Sequence, residues 1–229
     1  MPINYKTVIP HYKPLTQRKE MVLRQMDAFA FSNYSFYEKF DGNELDAETI
    51  RMHCVRKQHD IGTVTKKISP WKIGIETQRE LSNGEISLCI KYGNIFKEFL
   101  QIEEPYLMIL EDDVILCEEF DVKFEDCLKQ TPSDWDVIYF GSGAGLKPQN
   151  IVSGKIAYKM NHPASRCTDS IFFKRKTVED IYKTWFPVHL SADWELGYQH
   201  FLHNHAIYWW EPGLVVQGSQ CGVYNSSLQ

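Results

Sequence analysis

Apolar residues along the chain fall into two rhythms, short unbroken runs and runs with helical spacing, and the two alternate. Lys6 to Ile9 predicts a first strand, ended by Pro10, with a polar loop from His11 to Leu15. Val22, Met26 and Phe29 then recur at helical spacing through Ala30, with Thr16 as the expected N-cap. A strand, a polar loop and a helix in this order open a nucleotide-binding α/β unit. Tyr34 to Phe40 predicts a second strand ending in Asp41-Gly42. Residues 43 to 80 are polar and mixed in charge, compatible with a mobile flap or with small helices, and His53 and His59 stand at no ligand spacing. Ser82 and Glu85 spell a capping box, and Ile86, Ile90, Gly93, Phe96 and Leu100 mark one buried face of the helix behind it.

Beyond Pro105 the alternation continues. Phe120, Phe124 and Leu128 predict a helix closed by Thr131-Pro132, and Asp136 to Phe140 a strand leading into the flexible loop Gly141 to Gly145, a possible lid. Ser170 to Phe173 is a further strand, followed by helices over Thr177 to Phe186 and, capped by Ser191, over Ser191 to Leu202. Ile207 to Trp210 and Leu214 to Val216 are two short strands joined by Glu211-Pro212-Gly213. Strands alternating with helices predict an α/β fold with a central, mostly parallel sheet flanked by helices. With 229 residues, one domain over 1–229 is expected, a nucleotide-binding half to about residue 116 and an acceptor half from about 117.

The stretch from Pro105 to Leu116, PYLMILEDDVIL, stands apart because three carboxylates interrupt an apolar run. Read as one strand covered on both faces, it puts Glu111 and Asp113 on the same side and Asp112 elsewhere. Carboxylates at the C-terminal end of a strand sit where open α/β sheets bind ligands, and two of them together suit Mn²⁺ or Mg²⁺ completed by water and substrate phosphates. The plain alternative is a solvated strand end. Asp41 has two readings as well, a carboxylate accepting hydrogen bonds from a ribose or base, or the ordinary acid of an Asp-Gly turn.

Charge and cysteine usage narrow the partners. A net charge of −5 with scattered Lys and Arg gives no nucleic-acid stripe and no patch for anionic membranes. The six cysteines form no CxxC and no disulfide framework, several of them falling within apolar runs as buried thiols do, and no stretch approaches a membrane span or a signal-peptide core, so a cytoplasmic protein is expected. Gly141 to Gly145 lacks the Lys-Ser/Thr pair of a Walker motif.

Taken together, TVIPHYKPLTQRKEMVLRQM, Phe40-Asp41-Gly42, Gly84-Glu85-Ile86, YLMILEDDVIL, Arg166 to Arg175, Asp193 and the closing EPGLVVQGS resemble glycosyltransferase family 25. That resemblance covers most of the chain. It implies a GT-A fold, a nucleotide-sugar donor, usually a UDP-sugar, a divalent metal, inversion at the sugar carbon, and a glycan or glycoprotein acceptor. It also implies donor contacts from Pro10, His11, Thr16, Arg18, Asp41, Gly84, Glu85 and Asp112, and adds Gln217 to Glu111 and Asp113 as a metal ligand. The late acid Asp193 is the expected general base, deprotonating the acceptor hydroxyl, with Glu195 in reserve; either could instead serve the dipole of its helix's first turn. His200, His203 and His205 could supply a late ligand but read first as packing. One departure stands out. Where the family commonly carries a Ser-His pair, this chain has Lys91-Tyr92. Two other classes would also use clustered acids: a metal-dependent phosphoesterase, which needs a second ligand cluster that the sequence lacks, and an inactive nucleotide-sugar-binding module.

Overall fold

The computed structural model describes residues 3–55, 80–161 and 165–225. Seven strands form the central sheet: β1 (Lys6–Pro10), β2 (Tyr34–Tyr37), β3 (Tyr106–Leu110), β5 (Val137–Tyr139), β6 (Ala157–Lys159), β7 (Ser170–Lys174) and β8 (Ile207–Trp210). They lie in the order β2-β1-β3-β7-β5-β8-β6, while β4 (Val114–Leu116) and β9 (Val215–Gln217) pair separately, antiparallel. β2, β1, β3, β5 and β8 run in one direction, and β7 and β6 against it. The described helices are α1 (Thr16–Ala28), α2 (Ala47–His53), α3 (Asn83–Phe99), α4 (Phe120–Gln130), α5 (Arg175–Thr184) and α6 (Ala192–His203).

Side-chain alternation sorts the core into two layers. Leu107, Ile109, Val137, Tyr139, Ile171 and Phe173 bury one sheet face against α3, α5 and α6. Met108, Leu110, Ile138, Phe140, Phe172 and Trp210 bury the other against α1 and α4. Both faces are covered, which is why the strands read as continuous apolar runs rather than alternating ones.

Local chemistry sets several boundaries. The capping box of α3 is present, with the Glu85 amide donating to Ser82 Oγ and the Ser82 amide to Glu85 Oε2. Thr16, in contrast, is the first helical residue of α1, and the N-cap position falls to Leu15 with no side-chain hydrogen bond. Ser191 does hold the N-cap position of α6, but its hydroxyl donates to Asp193 instead of accepting a helix amide. β2 stops at Tyr37, three residues before Phe40, whose φ of 62° is incompatible with an extended strand. Of the segment 43–80, residues 47–53 form α2; His59 lies outside the described residues.

The acidic stretch is not one strand. β3 ends at Leu110, the chain turns through Glu111 to Asp113, and β4 leaves the central sheet to pair with β9. Each carboxylate therefore meets a different environment.

Candidate active site

The strand order reverses between β1 and β3: from β1 the chain moves outward to β2 and then returns to β1's other side. The loops leaving those two strands diverge there and open a crevice at the C-terminal edge of the sheet. A cavity of about 390 Å³ occupies it, walled by Pro10, His11 and Tyr12 after β1, Arg18 of α1, and Gly42 and Asn43 after β2. Asn83, Gly84, Ser87, Leu88 and Lys91 of α3 form another wall, and Glu111, Asp112, Asp113, Gln217 and Ser219 complete it. At Gly42 an added Cβ would press on the Asn83 backbone at 3.1 Å, so glycine lets the loop after β2 close onto the start of α3. That start, with Asn83 and Gly84 on the wall, brings the positive end of a helix dipole to the cavity, a favourable field for an anion.

Asp112 is neutralised within the protein. Its carboxylate accepts from His11 Nδ1 at 2.7 Å and from Arg18 Nη1 at 2.9 Å. Burial alone would raise its pKa, but the hydrogen bonds from His11 and Arg18 and the guanidinium charge outweigh it and hold the carboxyl below its ordinary range. Among the described residues, Glu111 and Asp113 receive only neutral donors. The Thr168 hydroxyl and Gln217 Nε2 (2.8 Å) bond to Glu111, and the Ser219 amide bonds to Asp113 Oδ2 at 3.1 Å. Burial and then the neighbouring Asp113 charge raise the Glu111 carboxyl well above its usual value. The cavity's carboxylate end thus lacks a counter-charge among the described residues.

Lys91, the departure from the family pattern, lies opposite. It is 3% exposed, donates to Asp41 Oδ1 at 2.5 Å and to the His11 carbonyl, and lines the cavity. Asp41 is 1% exposed and takes a second hydrogen bond from the Lys13 amide. Its oxygens bind this lysine and the β1 loop, and it is not among the lining residues. Gly84 lines the cavity, whereas Glu85 is committed to its helix cap and Thr16 is exposed outside the wall. Gln217 turns its amide nitrogen to Glu111, while its oxygen accepts from Gln220.

The late acids separate. Asp193 is half-buried, takes a hydrogen bond from Ser191 Oγ at 2.7 Å and lines a neighbouring groove. Glu195, 2% exposed, accepts from the backbone amides of His189 (3.0 Å) and Leu190 (3.3 Å), and burial pushes it up to about 7. It lines neither cavity and holds the approach to α6. The buried His200 bonds through Nε2 to the Tyr139 hydroxyl at 2.7 Å and through Nδ1 to the half-buried His205 at 3.1 Å, a packing arrangement. Among the described residues, no group of three or more His, Cys, Asp and Glu is placed to share a metal ion.

Four consecutive residues, quoted within the stretch Arg166 to Arg175 but given no role there, also build the site. Arg166, 1% exposed, binds the carbonyls of Leu146 (2.8 Å) and Trp210 (2.6 Å) and the Glu211 carboxylate, clamping the loops after β5 and β8. Cys167 adopts φ 60°, a strained conformation for a side-chain-bearing residue, and Thr168 braces Glu111. Asp169 is fully buried, held by Ser170 Oγ at 3.1 Å and pushed up to about 7 by burial. The one sequence signal for them was an acid directly before an apolar strand.

A sheet of this order is an α/β fold with its candidate site, an acidic turn, at the topological switch point. The sequence matches glycosyltransferase family 25 (LPS biosynthesis protein) over residues 12–186, well over half of the chain, and the protein belongs to that family. No curated protein matches it. Among solved structures it is similar to S. aureus TarS 1-349 in complex with UDP-GlcNAc, at 14% identity over 93% of this chain and 58% of that one, with a TM-score of 0.48. It is also similar to A197 from STIV (14% identity, 90% and 81% covered, TM-score 0.43). A third is the inositol-1-phosphate CTP transferase from T. maritima (9% identity, 99% and 93% covered, TM-score 0.47). Among the described residues, no helix is long and apolar enough to cross a membrane.

Proposed function

We propose that the protein is a metal-dependent, inverting hexosyltransferase that moves a hexose from a UDP-sugar to a hydroxyl of a glycan or glycosylated protein. The observation that carries this reading is the imbalance of charge in the crevice. Arg18 answers Asp112 and Lys91 answers Asp41, but among the described residues no cation answers Glu111 and Asp113. Their donor set fits Mn²⁺ or Mg²⁺. Two hard carboxylates suffice when the remaining ligands are phosphate oxygens and water, as is usual for a metal that travels with a nucleotide. A bound ion there supplies Lewis-acid stabilisation of the departing diphosphate.

The chain's own residues do the rest. Arg18 and the positive end of the α3 dipole favour an anionic ligand, and the narrow approach of Gly42 to Asn83 shapes the pocket for the nucleoside. Pro10, His11, Gly84 and Asp112 belong to this donor wall; Asp41 contributes through Lys91, and Glu85 by fixing the helix start. Gln217 orients Glu111 and, with its amide turned over, would offer a third ligand oxygen. In the transfer step the acceptor oxygen attacks the anomeric carbon opposite the phosphate and the sugar–phosphate bond breaks. The bonding pair leaves with UDP, and the hydroxyl proton passes to Asp193, whose half-exposed carboxylate suits a base better than the enclosed Glu195.

Calorimetric titration of UDP with and without Mn²⁺ tests the reading. Wild type is expected to bind more tightly with Mn²⁺, and Asp113→Ala to lose that enhancement while unfolding at nearly the same temperature. Equal metal dependence in the two proteins would refute it.

A further inference from the structure

The groove beside Asp193 is a second cavity, of about 710 Å³. It lies outside the nucleotide crevice and is lined by three aromatic residues, Trp194 of α6, Trp209 of β8 and Tyr158 of β6, together with the amide side chains of Gln149, Asn150 and Asn161. We propose that this groove is the acceptor subsite and that it binds one neutral pyranose unit, an aromatic side chain against the sugar's C–H face and a hydroxyl directed to Asp193. The proposal rests on the transferase reading of Asp193.

Four features carry it. The first is composition. A saccharide offers apolar ring faces and a rim of hydroxyls, and its complement is aromatic surface next to planar amides and a carboxylate, which is what lines this cavity. The second is charge. Of the charged residues in the lining, Lys159 is paired with Asp134 at 2.5 Å, and Lys147 and Asp193 cancel, so the groove is suited to a neutral ligand rather than a phosphorylated or acidic one.

Position is the third. Cys167 belongs to the groove, and the next residue, Thr168, bonds to Glu111 in the crevice. Gln220 approaches Cys167 Sγ at 3.8 Å and also bonds to Gln217, which itself holds Glu111. Burial, then Asp169, Asp193 and Glu111, raise the Cys167 thiol to about 12, so the carboxylates of both cavities act on this one side chain. The groove and the crevice therefore share a wall, with Asp193 on the acceptor side of it.

The fourth is preorganisation. Arg166 sits 5.4 Å from the centroid of the Trp209 ring while binding the Leu146 carbonyl at the groove's lip, and the Tyr158 hydroxyl accepts from the Val152 amide at 2.9 Å. An added Cβ at Gly143 would collide with the Arg166 carbonyl and with Cys167, so glycine lets the loop after β5 close against the groove's wall. Aromatic side chains fixed by such contacts lose little freedom when a ligand arrives.

Saturation-transfer difference NMR tests the assignment, with UDP, lactose, cellobiose, N,N′-diacetylchitobiose and a serine-containing hexapeptide as probes. On wild type at least one disaccharide is expected to show saturated ring protons. Trp194→Ala should reduce that signal about tenfold, Trp194→Phe should retain it, and UDP signals should be equal in all three proteins. Absence of any disaccharide signal on wild type, an undiminished signal on Trp194→Ala, or a signal from the hexapeptide alone would each overturn the proposal. Loss of UDP signals from wild type would instead refute the donor reading, and the disaccharide signals would still report on the groove.

Discussion

Replacing Lys91 with methionine removes an ammonium and leaves a side chain of similar length. In the wild type that ammonium sits 2.5 Å from Asp41 Oδ1, with 4% of the lysine side chain and 1% of the aspartate's exposed. Without it, Asp41 keeps the Lys13 amide at 3.2 Å and the more distant Lys13 ammonium at 3.9 Å, neither of which replaces a buried contact ion pair. Removing one partner of such a pair costs about 3–5 kcal/mol, chiefly because the other charge stays buried and uncompensated. That is a fifth or more of a typical domain's stability of roughly 5–15 kcal/mol. The double variant Lys91→Met/Asp41→Asn removes both charges and is expected to return to within about 1–2 kcal/mol of wild type. Urea unfolding followed by tryptophan fluorescence gives the three free energies, and UDP titration in parallel should show weakened binding in both variants, because Lys91 lines the crevice whether or not Asp41 is charged. A loss below about 1 kcal/mol in Lys91→Met, or a double variant no more stable than the single one, would refute the argument.

Asp193→Asn is nearly isosteric; as the general base it should lower turnover by about 10²-fold or more with donor KM unchanged, and near-wild-type turnover with a competent acceptor would remove it from the chemistry. Glu195 is raised by burial from 4.5 to about 7, so the folded state holds its proton more tightly than the unfolded chain does. That contribution is complete below pH 4.5 and is lost as pH rises to 7, on the order of 3 kcal/mol, and Glu195→Gln should flatten the corresponding slope of stability against pH. An unchanged slope would show that Glu195 takes up its proton in the fold at the same pH as in the unfolded chain. Gly93→Ala puts a methyl into the Phe186 ring and against Trp185, and it should cost about 1–3 kcal/mol in thermal or urea unfolding.

Periodicity revealed the helices and most strands because their partners are the two apolar layers, and a layer imposes its rhythm on every element that touches it. What periodicity could not reveal was decided by contacts far along the chain. The run from Pro105 to Leu116 reads as one strand because both flanks are apolar. It breaks at Glu111, where Asp112 is claimed by His11 and Arg18, 101 and 94 residues earlier, and β4 by β9. β6 escaped notice because its short sequence carries little pattern of its own and is fixed by pairing with β8. Asp41 was legible as a carboxylate but not as the counter-ion of Lys91, since a lysine on a buried helix face looks like an exception until its partner is known. Arg166 to Asp169 were quoted as part of a resemblance, yet their work depends on an antiparallel pairing that no local signal announces.

That pairing has a consequence for how the molecule tolerates change. A parallel strand brings only its exit to the edge of the sheet where the ligand cavities lie, but β7 runs backwards between β3 and β5 and brings its beginning there: Ser170 lies beside Leu110, and the Glu111 amide donates to the Asp169 carbonyl at 2.9 Å. Chemistry-bearing loops are thereby crowded onto one rim, and the turns around residues 31–33, 101–105, 131–136 and 204–206 on the opposite rim supply no residue to the lining of the crevice or the groove. Loop grafts, surface tethers and labels belong on that second rim, where lengthening a turn leaves the spacing between the crevice and the groove intact.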